Sequence, residues 1–357
     1  MNLTRDLIEL SHTFGADETY VRAGGGNISL KHDGVLRIKP SGVALASLRG
    51  DELVGLRVST LLHALDHDLP GDGDPVQRAA SAARVGADDR RRPSVEILFH
   101  ALIPDPLVLH LHPLVANALT CNESDRELAA RLLGDEAIVV GYVDPGVALA
   151  RAIRDARDAY SERTSQPPPA VTLLANHGII VSGRDAAAVA ERTRWLTGRI
   201  AGCLSCRPAI ADASREEILL AARWGKALGG VARVASAVAD REAARALSER
   251  GPLIPDQIVY AGSFPVILGE AMEEILESYR GRWGRDPVTG LLPGGAVAGF
   301  GRSEAAALNA AHTLADAIWV ASAANRLGRV RTLTEDQWRF IEGWEAESYR
   351  KRVASAG

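Results

Sequence analysis

The run LVLHLHPLV, Leu107 to Val115, constrains this chain more than any other stretch. Its leucines and valines read as a β-strand. Successive strand side chains point to opposite faces, so His110 and His112 emerge together from one face of an apolar ribbon. Buried polar groups without partners cost on the order of a few kcal/mol, so two adjacent imidazoles in such a setting demand further donors or acceptors nearby. The sequence therefore predicts a buried sheet with a polar centre at one end of this strand.

The bulk properties narrow what that centre serves. With 357 residues, 46% hydrophobic and 24% charged, the chain is long enough for more than one core. The α/β pattern is rebuilt from Ser214 onward, which suggests a boundary near residues 207 to 215, with a catalytic domain over 1–210 and an extension over 211–357. The net charge is -4 and the Lys and Arg residues are scattered, which excludes the basic stripe of a nucleic-acid binder and favours a small-molecule partner. No run approaches the roughly 20 apolar residues that span a bilayer, so no membrane partner is expected. Three cysteines and an N-terminus without a signal-peptide pattern suggest a reducing cytoplasm. Cys203 and Cys206 form a C-x-x-C with no second pair and are read as ordinary thiols at a helix end.

Along the chain, Leu3 to Phe14 has amphipathic helical spacing, and NISLKH and VLRIKPS read as strands joined at the turn HDG. Asp66 to Arg92 is polar and rich in Gly, Asp and Arg, a surface excursion with some helix. PSVEILFHALIP has helical periodicity, with Ser94 as a cap and Pro104 as a stop. AIVVGYVDPG is a strand and turn, Ala148 to about Arg163 a helix, and AVTLLANHGIIVSGR two strands joined at NHG. Ala186 to about Ala201 is a long helix. Beyond Ser214 the pattern gives a helix, a strand over DQIVYAGSFPVIL, a strand over GGAVAGFG, a helix from Glu304 to Arg326, and a last helix. That helix opens on a Thr334–Gln337 capping box, with Trp338, Ile341 and Trp344 on one face.

Zinc takes imidazole nitrogens, and catalytic zinc sites commonly use three protein ligands and keep a position open. His110 and His112 supply two such ligands. His177, at a tight turn just before a glycine, is the best third. Glu96, on the element before the His110 strand, can approach the same point, and a carboxylate near a metal and shielded from water is suited to moving a proton. His100, four residues further on, could bond Glu96, but packing is the simpler expectation. A second theme is anion binding: GGGNIS and KPSG bring backbone amides and the Ser41 hydroxyl close to a ligand beside Gly42, Lys39 stands next to that loop, and Ser94 adds a helix start. His12, His32, His63, His67 and His312 lack such context and receive no role.

GGGNISLK, LRIKPSG, SVEILFHALIP, LVLHLHP and LLANHGIIVSG occur in the order found in the class II aldolase/adducin family, which this chain resembles over roughly Met1 to Pro208. The remainder looks like the extension of long members. The resemblance implies an α/β, three-layer fold with a central, mostly antiparallel sheet covered by helices, plus a smaller C-terminal α/β extension. It implies Zn2+, or another divalent transition metal, on His110, His112 and His177, with Glu96 as acid/base. Phosphate contacts would come from Gly26, Asn27, Ser41, Gly42 and Ser94, although Val95 stands where shorter members often carry a second hydroxyl. The expected activity is retro-aldol cleavage of a ketose phosphate through a metal-stabilised enediolate, and the expected partner a sugar phosphate or sugar acid. Epimerase, dehydratase and decarboxylase chemistry are the alternatives on the same site, and an adducin-like interaction module is a third. A homo-oligomer, commonly a tetramer, goes with this family.

Overall fold

A computed structural model describes residues 3–67, 69–86, 91–204 and 208–344. The chain divides into two compact units: one comprises Met1–Ala116 and Asp125–Gly202, the other Asn117–Ser124 and Cys203–Gly357.

The first unit contains α1 (Leu3–Gly15), β1 (Asn27–His32), β2 (Val35–Ile38), β3 (Val54–Arg57), α2 (Val58–Asp66), α3 (Pro75–Ala83), α4 (Ile97–Leu102) and β4 (Leu107–Leu111). After α5 (Leu114–Thr120) follow α6 (Asp125–Leu133), β5 (Ala137–Val140), α7 (Val147–Thr164), β6 (Val171–Leu174), β7 (Gly178–Gly183) and α8 (Ala186–Ala201). Seven strands form one sheet in the order β3-β2-β1-β4-β7-β6-β5, antiparallel except for the parallel β5–β6 edge pair. The β1–β2 turn is closed by Asp33 and Gly34, both at positive φ as a tight hairpin with right-handed twist requires. On one face of the sheet, Leu36, Ile38, Val54, Leu56, Val108, Ile138 and Ile180 pack with buried residues of α2, α3, α4 and α7. Leu107, Leu109 and Leu111 alternate with these and are fully buried. Helix α1 packs on β1, and α8 on β4 and β7. The mixed α/β architecture with a largely antiparallel central sheet is the one the sequence predicted.

The polar excursion contains more helix than its composition suggests. Asp74 accepts from the Val76 and Gln77 amides and Pro75 opens the first turn of α3, whose apolar side buries Val76, Ala79, Ala80 and Ala83.

The second unit holds β8 (Ile210–Ala211), α9 (Arg215–Ala227), β9 (Val231–Ala235), β10 (Ala237–Val238), α10 (Arg241–Glu249), α11 (Pro255–Ala261), β11 (Val266–Ile267), α12 (Met272–Trp283), β12 (Thr289–Leu291), β13 (Val297–Gly301), α13 (Glu304–Leu327) and α14 (Glu335–Gly343). Its main sheet has the order β11-β12-β13-β9. Helix α13 lies on β13 and β9. That close approach explains an otherwise odd pairing of a glycine-rich strand with an alanine-rich helix: a Cβ on Gly299 would meet the Ala307 carbonyl at 2.1 Å and the Ala311 nitrogen at 2.4 Å.

Two expectations fail here. DQIVYAGSFPVIL is not one strand: Pro255 starts helix α11, Gly262 at φ 78° ends it, and only Val266–Ile267 is extended. Every residue of α11 is buried, so no polar face existed to reveal the helical period. Trp344 lies beyond the last turn of α14 and packs against Phe340, while Trp338 and Ile341 are buried as expected. Among the described residues no helix is long and apolar enough to cross a membrane. Cys121 is buried and Cys203 exposed; Cys206, and with it the C-x-x-C, lies outside the described residues.

Candidate metal centre

The site grows from strand register. His110 sits opposite Asn27 on β1 and opposite Ile180 on β7. Directly paired residues project to the same face, and so do residues two apart. Asn27 and Ser29 therefore share with His110 and Val108 the face that α4 covers. The strand itself ends at Leu111, and His112 follows with its amide held by the Tyr20 carbonyl at 3.1 Å. Gly178 makes the remaining closeness possible, because a Cβ there would meet the Leu111 carbonyl at 2.3 Å and His112 Cδ2 at 2.6 Å. The turn that carries His177 puts Asn176 at φ 49°, a left-handed conformation that asparagine tolerates better than most side chains.

Helix α4 begins later than its sequence suggests. The Ser94 hydroxyl accepts from the Glu96 amide at 3.3 Å instead of capping a helix, and Glu96 stands before the first turn at φ -106°, ψ 18°. This sparsely populated backbone region is common at active sites. It turns the Glu96 carboxylate inward, 7% exposed, between two imidazoles: Oε2 lies 3.4 Å from His110 Nε2 and Oε1 3.2 Å from His177 Nε2.

His110, His112 and His177 are all buried, with one ligand atom of each lying within 4.8 Å of the others. His110 and His112 touch through their Nε2 atoms at 2.9 Å. His110 donates Nδ1–H to the Ile179 carbonyl at 2.9 Å, which leaves the lone pair on Nε2, the atom facing His112 and Glu96. Burial is the main reason that this imidazole is held down to about 3, against the opposing pull of Glu96, so it is neutral and able to donate that lone pair. One buried atom here, His177 Nδ1, has no hydrogen-bond partner among the described residues. Lone pairs converging on one point, with a carboxylate among them, are the donor set of a transition-metal site. The three histidines thus fit a divalent cation and could hold one.

The anion-binding residues meet a mixed outcome. Ser41 N donates to the Arg92 carbonyl and Ser94 N to the Lys39 carbonyl, so the KPSG loop runs alongside the segment leading to Glu96. Gly42 adopts φ 85°. Gly26, at φ 61°, backs against the strand so closely that a Cβ would lie 2.8 Å from the His110 carbonyl. Lys39 is 2% exposed, and its Nζ donates to the carbonyls of Val43 at 2.6 Å, Gly24 at 3.2 Å and Pro40 at 3.5 Å. A desolvated ammonium needs those carbonyls, so Lys39 braces the two loops. Asn27 is also engaged, with Nδ2 donating to Glu96 Oε2 at 2.6 Å. His100 makes no bond to Glu96; it bonds Asn27 and Ser29 and stacks on Phe99 at 4.7 Å. Sequence spacing missed Ser29 and His100 because they meet across two elements. The usable signal was the period-two pair Asn27 and Ser29 beside a buried helix.

A comparison of the whole chain with curated proteins finds an uncharacterized oxidoreductase, YuxG, of Bacillus subtilis strain 168, 22% identical over 98% of this chain. The chain spans 58% of that protein's length. Among solved structures, the N-terminal class II aldolase domain of a conserved Thermoplasma acidophilum protein matches at 24% identity and TM-score 0.48, over 57% of this chain and 93% of that one. The L-fuculose-1-phosphate aldolase of Thermus thermophilus matches at 19% identity and TM-score 0.38, over 57% of this chain and 93% of its own. The family model of the class II aldolase and adducin N-terminal domain matches residues 5–201, which include all three histidines and Glu96. More than half of the chain is covered by that match, and the protein belongs to the class II aldolase and adducin family.

Proposed function

We propose that this protein is a metal-dependent carbon–carbon lyase that cleaves a ketose phosphate or related sugar derivative by retro-aldol chemistry. The observation that carries this reading is the convergence of His110, His112 and His177 around one buried point, with Glu96 3.2–3.4 Å from two of them. An adducin-like scaffold has no need of three buried imidazoles crowded together, which cost stability without a ligand.

In this reading the three histidines hold a zinc or similar divalent ion, which when bound supplies Lewis acidity to the carbonyl and neighbouring hydroxyl oxygens of the sugar. Glu96 moves the proton at Oε1, the carboxylate oxygen that Asn27 does not hold. Ser41, Gly42, Ser94 and the backbone at Gly26 receive the phosphate or acid group, with Lys39 and Asn27 supporting this cradle. The surrounding apolar core excludes water, which strengthens each of these electrostatic interactions. A homo-oligomer working in the cytoplasm on a sugar phosphate or sugar acid completes the proposal.

The test is to purify the full chain without chelator, measure bound metal, and screen phosphorylated ketoses and sugar acids by mass spectrometry. A stoichiometric divalent metal and a released aldehyde are expected. Carbon dioxide without aldehyde would move the site to decarboxylation, and a stereochemical change alone to epimerisation. Protein with no divalent metal and no turnover would return the chain to the scaffold class.

A further inference from the structure

We propose that Ser29 and His100 act through Asn27 as positioning residues, holding Oε2 of Glu96 so that Oε1 is the oxygen presented to substrate. The inference rests on the reading of Glu96 as the proton-moving group.

The argument is one of donors and acceptors. Ser29 and His100 are fully buried, Asn27 is 4% and Glu96 7% exposed, so water cannot repair a mismatch. Asn27 faces Glu96 Oε2 at 2.6 Å. Its amide oxygen in that position would set acceptor against acceptor, so Nδ2 must be the atom that points there. Oδ1 then faces His100 Nε2 and can only accept, which places the imidazole proton on Nε2. The lone pair left on Nδ1 accepts from the Ser29 hydroxyl at 2.7 Å. A single arrangement satisfies all four side chains, and it runs in one direction: Ser29 to His100 to Asn27 to Glu96. Burial, reinforced by the nearby Lys31 charge, holds His100 well below the usual imidazole range, which keeps it neutral as this arrangement requires.

The imidazole is itself pinned. Its ring stacks on Phe99 with an interplanar angle of 22°. Its backbone carbonyl is the one that Pro104, four residues on, cannot serve, since proline has no N–H. Lys31 Nζ serves it instead, at 2.7 Å. The chain of bonds ends on an amide, and an amide does not pass protons near neutral pH. It is therefore a brace and not a proton exit. Only one carboxylate oxygen is held by Asn27; the other, Oε1, faces His177 Nε2 at 3.2 Å, on the side of the three histidines.

Two measurements on the full chain test this. In histidine-15N-labelled protein, long-range nitrogen–proton spectra are expected to show His100 as the neutral Nε2–H tautomer across the neutral pH range, with its Nδ1 signal displaced in Ser29→Ala. The Nδ1–H tautomer, or a Ser29→Ala spectrum identical at His100, would overturn the brace whatever reaction the enzyme performs. Kinetically, His100→Phe keeps the stack but loses the donor, whereas His100→Gln keeps an N–H within reach of Asn27. His100→Phe is expected to lower kcat by on the order of 10- to 100-fold, the size of a small misplacement of a reacting group, with metal content and KM unchanged. His100→Gln is expected to recover most of it. Wild-type kcat in His100→Phe, or equal losses in both variants, would leave His100 a packing residue. Absence of aldehyde from the wild type would sink the lyase reading, and the spectra would still decide the brace.

Discussion

The two units bury different things against their sheets. In the first, the end of β4 gathers three histidines, a glutamate, an asparagine and a serine, all shielded from solvent. In the second, the corresponding interior is Trp224, Phe300, Leu220, Leu268, Leu276, Leu292 and Val266, with alanines where backbone approaches backbone. Several of its charged pairs, such as Arg223 with Glu270 and Arg245 with Glu249, sit on the exposed surface, where water and salt screen them. The second unit also buries polar side chains, among them Asp256, Gln257 and Thr289, but among the described residues only the first gathers three histidines at one point. Chains depart from apolar interiors at functional sites, which is the reason for placing the proposed chemistry in the first unit.

The sharpest way to break that contrast is Glu96→Gln. If Glu96 moves a proton, turnover should fall on the order of 10²- to 10⁴-fold while bound metal, measured by mass spectrometry, stays at the wild-type level. Unchanged turnover would demote the buried carboxylate to a packing curiosity. Loss of the metal itself would make Glu96 a ligand.

The same glycine-to-alanine change in each unit makes the comparison direct. Gly178→Ala drives a methyl group into the Leu111 carbonyl and the His112 ring. Gly299→Ala drives one into the Ala307 carbonyl and the backbone of α13. Both should lose stability by on the order of 1–3 kcal/mol, as overpacked sites do. Only Gly178→Ala should also weaken metal binding, by roughly 10- to 100-fold, comparable to disturbing the groups that orient a ligand. Equal metal affinity in the two variants, read by competition with a chelating dye, would show that the Gly178 contact does not set the His112 ring.

The asymmetry also governs what could be read from sequence. A period-two pair of histidines in an apolar strand has few explanations, and N-H-G between two β-branched runs has few more, so the three histidines were legible. The partners of Lys39 and His100 were not. A lysine beside a glycine loop looks like an anion ligand, and nothing local tells it that the carbonyls of Gly24 and Val43 fold back onto its ammonium. Likewise Ser94 reads as a cap until the helix is seen to start at Ile97. In the second unit, α11 is buried all round and lost its period, and β9, VARVA, is too short to stand out from the helical alanine pattern around it. Packing dictated those elements, and packing partners distant in sequence leave little local trace.

The smallest effect tests how far the polar interior extends beyond the histidines. Lys31, on β1, is depressed to about 8, chiefly by burial and against the raising influence of Asp105. Below that value the folded and unfolded chains both carry the proton, and the cost of holding a charge away from water is fully present. Between about 8 and the ordinary lysine value of 10.5 the unfolded side chain still binds a proton that the folded one has released. Stability should therefore rise with pH through that window, up to the slope of one proton. Lys31→Met removes this increment but also abandons the His100 carbonyl, a loss on the order of 1–3 kcal/mol for a buried acceptor, so its stability at neutral pH is a poor guide. The difference in Tm between wild type and Lys31→Met is the informative quantity, because other titrating groups cancel in it. It should grow in favour of the wild type as pH is raised from 8 toward 10.5. A flat difference would mean that Lys31 titrates as an ordinary surface lysine, and that the polar interior stops at His100.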